Sequence, residues 1–221
     1  MSGFLSSSIA RKVAMALSAL FLIIFLLIHL TVNITSLFSE NVFNELSHFM
    51  GTNFLIQFLM QPVLIFGVVF HFVMGFVLEI RNRGSRSIKY VKYNGAANSS
   101  WMSRNMAISG GVILAFIVLH FIDFWFPEMN YKYIESLPED PNRYFAELQH
   151  KFTNPIRVGA YVIAFVLLAL HLWHGFQSAF QSLGMNRYEK CVKTLGKIYA
   201  IVIPLGFIII ALFHYFTQLN H

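Results

Sequence analysis

Five stretches of this chain run for about the length of a bilayer crossing without a single charged residue: Val13 to Ser39, Leu46 to Leu78, Asn105 to Ile122, Val158 to Asn186 and Ile198 to His221. A helix needs about 20 apolar residues to cross about 30 Å of hydrocarbon, because no water is there to bond its amides and every backbone group must be satisfied within the segment. The stretches therefore predict transmembrane helices at about 13–36, 54–80, 105–126, 156–183 and 197–217. Nothing is left over for a soluble domain, so the expected fold is all-α: one integral membrane helical bundle over residues 1–221. The first stretch follows Arg11 and Lys12 but lacks a small-residue cleavage pattern, and it reads as a retained helix rather than a leader peptide. A mean hydropathy of +0.61 with only 12% charged residues agrees with lipid as the solvent.

The basic residues report topology. Twelve of them, Arg11, Lys12, Arg81, Arg83, Arg86, Lys89, Lys92, Arg104, Arg187, Lys190, Lys193 and Lys197, fall on one side of the five spans. The other side has Lys132, Arg143, Lys151 and Arg157 among seven acidic residues. By the positive-inside rule the amino terminus is cytoplasmic and the carboxyl terminus outside. The formal charge of +6 does not suggest nucleic acid, since the cations sit in short clusters between apolar runs rather than on one continuous face. A single cysteine, Cys191, excludes a disulfide framework or a thiolate-held cluster built from this chain alone, so any iron-sulfur centre belongs to a partner. Residues Pro127 to Asn154 read as a long acidic loop with a short interfacial helix between Asn142 and Phe152, and Pro204 is expected to bend the fifth helix.

Histidines carry the chemistry. His29, His71, His120, His171 and His214 lie within the apolar spans, with His174 beside His171. A polar ring in hydrocarbon is costly unless partnered, which makes each a functional candidate. Depth follows from the rise along a helix. His29 lies 17 residues beyond Lys12 and His120 lies 16 beyond Arg104, so both reach one layer toward the outside. On the inward-running helices a pattern repeats: His71 with Gly75 and Gly84, His171 with Gly175 and Gly184, at offsets of 4 and 13, in a second layer toward the cytoplasm. Two imidazoles at equal depth on different helices suit the two axial positions of a haem iron, and a glycine one turn away on the same face lets a flat macrocycle approach. The expected pairs are His29 with His120 and His71 with His171. Depth leaves His214 open as a rival, because it lies 17 residues beyond Lys197 in the outer layer.

The segments HLTVN from His29, FNELSHFM from Phe43, HFVMG from His71, LHFIDFW from Leu119 and HLWHG from His171 together resemble the single-chain, five-helix dihaem cytochrome b anchors of succinate:quinone oxidoreductases, the succinate dehydrogenases and fumarate reductases. The resemblance spans nearly the whole chain. It implies that the first four helices form a haem-binding four-helix bundle with His29, His71, His120 and His171 as ligands of two haem b groups, and that His174 and His214 are not ligands. It further implies a subunit that does not itself bind the dicarboxylate. Such a subunit sits in the cytoplasmic (inner) membrane of a bacterium, anchors a flavoprotein and an iron-sulfur subunit on its cytoplasmic face, and passes electrons to or from quinone, with menaquinone expected. For the propionates of the inner haem the candidates are Lys12, Trp101, Ser103, Arg104 and Gln177. For the quinone they are Glu45 and His48 near His29. Glu79 and Asp123 read as residues pairing at the interface, and no carboxylate lies in mid-membrane to relay protons between the layers. Competing readings are the cytochrome b subunit of a hydrogenase or formate dehydrogenase, a transporter with no pigment, and a haem-free anchor.

Overall fold

The computed structural model describes residues 7–84 and 105–219, and all regular structure among them is helical. The helices are α1 (Ser8–Ile34), α2 (Glu40–Thr52), α3 (Gln61–Gly84), α4 (Met106–His120), α5 (Arg143–Lys151), α6 (Pro155–Ser182) and α7 (Glu189–Leu219). A π-helical turn at Ile56–Met60 leads into α3, and α4 runs on through further turns to Ile134. Five of the resulting spans, Ser8–Leu37, Ile56–Asn82, Met106–Ile134, Pro155–Ser182 and Met185–Leu219, are long and apolar enough to cross a membrane.

Alternating direction gives the bundle a basic end, where α1, α4 and α7 begin and α3 and α6 finish, and an opposite end capped by α2 and α5. Around the bundle α1 packs on α3 and α6, and α4 packs on the same two helices. The helices α1 and α4, and likewise α3 and α6, therefore face each other across diagonals with little direct contact. Outside this ring α7 lies along α6 and α1, in the most extensive helix contact of the molecule. Close approach there depends on two glycines. A Cβ at Gly206 would fall 2.8 Å from Leu30, and one at Gly196 would fall 2.9 Å from Phe176. The core accordingly gathers on this side, with Leu30, Phe165, Ile203, Phe207 and Ile210 buried together.

Several helix ends differ from the sequence expectation, each for a physical reason. Helix α7 begins at Glu189 rather than near residue 197, because Lys193 pairs with Glu189 at 2.5 Å on an amphipathic first turn that hydropathy cannot see. The stretch after Pro127 is helical rather than loop. The Phe126 amide reaches back five residues to the Phe121 carbonyl, and this widened turn carries the helix past a proline with no amide to give. Helix α2, unanticipated, is started by Ser39, whose hydroxyl accepts from the Val42 amide at 3.3 Å. The short interfacial helix is present as α5, and Asn154 caps α6 by accepting from the Ile156 and Arg157 amides.

One side chain locks the cap. Asn44 of α2, 2% exposed, donates to the Asn142 carbonyl at 3.2 Å and accepts from the Phe145 amide at 2.8 Å. Replacing Asn44 with leucine strands both backbone groups, at a cost of about 1 to 3 kcal/mol for each buried group left unpaired. Thermal unfolding in detergent, followed by helix ellipticity, should show Asn44→Leu clearly destabilised and the exposed-site control Glu45→Gln unchanged.

Candidate cofactor site

Each diagonal of the bundle is bridged by one pair of histidines. His29 on α1 and His120 on α4 have ring centroids 5.8 Å apart with planes at 88°; His71 on α3 and His171 on α6 are 6.4 Å apart with planes at 69°. An imidazole nitrogen binds a transition metal at about 2 Å, and the ring centre lies about 1.1 Å behind it, so two rings flanking one ion sit about 6.2 Å apart. Both pairs are spaced for that arrangement. None of the four Nε2 atoms makes a hydrogen bond among the described residues, and the four residues are half-buried.

The basic-end pair is held from behind by two serines in equivalent places. Ser18 Oγ on α1 lies 3.1 Å from His71 Nδ1 and donates its proton to the Met15 carbonyl at 2.8 Å. Ser109 Oγ on α4 lies 3.3 Å from His171 Nδ1 and donates to the Met106 carbonyl at 3.0 Å. With the hydroxyl proton committed, Oγ is left as an acceptor for Nδ1–H, which leaves the Nε2 lone pair free to bind an ion. The other pair is set differently. Phe25 stacks on His29 and Phe116 on His120, while Tyr161 meets His120 edge-on at 6.4 Å. His120 Nδ1 is buried without a partner, and Asn33 Nδ2, 3.5 Å from His29 Nδ1, is engaged by the His29 carbonyl at 2.7 Å.

Sequence reasoning missed the serines although a signal was present. Met15, Ser18 and His29 recur as Met106, Ser109 and His120 with identical spacing, the histidine 11 residues after the serine in both (29 − 18 and 120 − 109). The glycine positions join this pattern. A Cβ at Gly75 would meet the Met15 tip at 3.6 Å, and one at Gly175 would meet the Met106 tip at 3.2 Å. Both glycines thus look inward onto flexible thioethers of the facing helix.

The rival His214 is 0% exposed, with Nε2 3.0 Å from Ser36 Oγ, whose own proton goes to the Asn33 carbonyl at 2.7 Å. It is packed against Phe145 and fastens α7 to the end of α1 rather than meeting another histidine. His174 is half-buried, without a hydrogen bond or ring contact among the described residues. Lys12 is exposed and Gln177 half-buried at the basic end, while Trp101, Ser103 and Arg104 lie outside the described residues. Asp123 pairs as expected, with Arg157 Nε at 3.3 Å, and it is also buried at 1% exposed, accepting from Tyr161 Oη at 2.9 Å.

At the α2 and α5 end a cavity of about 300 Å³ is lined by His48, Gln57, Tyr131, Lys132, Arg143 and Tyr144 among others. His48 enters it, 3.8 Å from Glu139, whereas Glu45 is exposed and apart from it. Arg143 pairs with Glu128 and Glu147 and stands 4.0 Å above the Tyr131 ring. Burial alone would lower the Arg143 guanidinium, but its hydrogen bonds to the two carboxylates outweigh this and hold it above its ordinary range. Burial first, then the charge of Glu128, pushes the Tyr144 phenol up to about 12.

Among the described residues no group of three or more His, Cys, Asp or Glu side chains is gathered to hold a bare metal ion. No family model, curated protein or solved structure matches this chain.

Tyr144 makes a pH prediction. Its folded pKa exceeds the free value of about 10, so the stability it contributes is complete below that pH and is lost as pH climbs toward about 12. The phenolate absorbance of the wild type minus Tyr144→Phe should titrate with a midpoint near 12, and the wild type should lose more stability than the variant across that window.

Proposed function

We propose that this chain is a dihaem cytochrome b, the membrane anchor and electron-transfer subunit of a succinate:quinone oxidoreductase. The observation that carries the reading is the pair of imidazole bridges, one on each diagonal, at two depths, with spacings of 5.8 and 6.4 Å. Two protein ligands are too few for a bare ion but suffice for an iron whose other four positions are filled by a porphyrin. A haem with imidazole on both faces supplies one-electron transfer and leaves no open position for oxygen or substrate.

In this reading His29 and His120 hold one iron, and His71 and His171 hold the other. Diagonal placement lets each side chain reach inward without the helices touching, and the partial exposure of the rings agrees with a further group beside them. The basic end, with Lys12 and Gln177 at hand, faces the cytoplasm by the positive-inside rule and carries the charge suited to propionates and to docking a flavoprotein and iron-sulfur pair. The cavity at the opposite end offers what a quinone headgroup requires: an apolar wall in Phe58 and Leu137, and His48, Gln57 and Tyr131 as exchangeable polar groups beside water. Menaquinone is the quinone the resemblance favours. Two carriers held by these histidine pairs would lie in order between the basic face and that cavity.

A reduced-minus-oxidised visible spectrum of the purified protein, with haem quantified per chain, should show two b-type haems. A folded, colourless protein would end the reading. His171→Ala should lose one haem, while His174→Ala and His214→Phe should keep both.

A further inference from the structure

We propose that Ser18 and Ser109 are positioning residues for the basic-end haem, fixing the Nδ1–H tautomer of His71 and His171 and lowering the reduction potential of the iron these two hold. The inference rests on the dihaem reading above and adds what the chain itself does to one of the two groups.

The argument begins with protons. Each serine is bonded to the carbonyl three residues earlier on its own helix, at 2.8 Å for Ser18 and 3.0 Å for Ser109, so its oxygen faces the neighbouring ring as an acceptor. The distances of 3.1 and 3.3 Å to Nδ1 let each histidine donate there. An imidazole that donates from Nδ1 gains anionic character and becomes a stronger donor at Nε2, which favours ferric over ferrous iron. The serines do this from a neighbouring helix, α1 behind His71 of α3 and α4 behind His171 of α6, so both histidines that would hold this iron are tuned alike.

The second pair has no such support. Among the described residues His120 Nδ1 lacks a partner, and the group within hydrogen-bond reach of His29 Nδ1 is the Asn33 amide nitrogen, itself a donor and 3.5 Å away. Among the described residues hydrogen-bond acceptors therefore stand behind the histidines of one pair only, and removing them should move one potential and not the other.

The test is a redox titration of the purified, haem-loaded protein by visible absorbance, comparing wild type with Ser18→Ala, Ser109→Ala and the hydroxyl-retaining Ser18→Thr and Ser109→Thr. The component that disappears in His171→Ala identifies the haem concerned. Each alanine variant should raise that haem's midpoint, by up to a tenfold change in its ferrous to ferric ratio, or about 59 mV for a one-electron couple. The other haem should stay where it is, and the threonine variants, whose hydroxyl can also bond the preceding turn, should return toward wild type. An unchanged midpoint, or an equal shift in both haems, overturns the proposal while leaving the dihaem reading intact. Should an alanine variant assemble without that haem, the threonine variant decides: haem retained supports the proposal, haem lost overturns it. A wild type without haem overturns both readings together.

Discussion

An imidazole placed in hydrocarbon is costly unless partnered, and the way five of them are placed organises this molecule. His214 meets protein alone. Its Nε2 bonds to Ser36, its ring is fully buried with Nδ1 left without a partner among the described residues, and its effect is to bind α7 to α1. The other four face one another in pairs across the bundle, and among the described residues none has a partner at Nε2. The contrast separates a histidine used to fasten two helices from histidines set against one another.

That arrangement has a cost in packing, and the fold distributes it unevenly. In the most apolar window of each span only 6% of the residues of the second and third are buried, against 44% in the fifth. Helices α3 and α4 therefore take little support from their neighbours, while α7, which carries none of the paired histidines, is pressed against α6 and α1 through glycine notches at Gly196 and Gly206. The supporting helix holds two sides of the ring firm. Across the diagonals side chains rather than backbones approach.

How much of this was legible in the sequence depends on which physical rule was in force. The five spans could be read because hydrocarbon permits no exception to backbone satisfaction, and the histidine pairs because rise per residue converts position into depth. Depth is one coordinate only. It could not set aside His214, because counting from Lys197 put it level with His29, whereas in the structure Phe207 holds that level, 5.6 Å from the His29 ring, and His214 lies two turns further on beside Ser36. Helix starts were lost where the first turns are amphipathic, as at Glu189, and α2 was lost because a surface helix leaves no long apolar run. Asp123 was read as a pairing residue, and it pairs, but its partners Arg157 and Tyr161 are distant in sequence and could not be named from it. The serines were visible in repeated spacing yet mute, since serine is ordinary in a membrane helix.

The matched spacings of Met15, Ser18 and His29 with Met106, Ser109 and His120, and of His71 and Gly75 with His171 and Gly175, relate the first two spans to the third and fourth by an approximate half-turn about the bundle axis. Either half then holds one imidazole at each depth and so can complete neither bridge alone. Two such halves meeting as separate chains would assemble at a rate set by their concentration in the membrane. Joined in one chain they meet as tethered neighbours, and a grip that would have been a matter of encounter becomes a matter of folding.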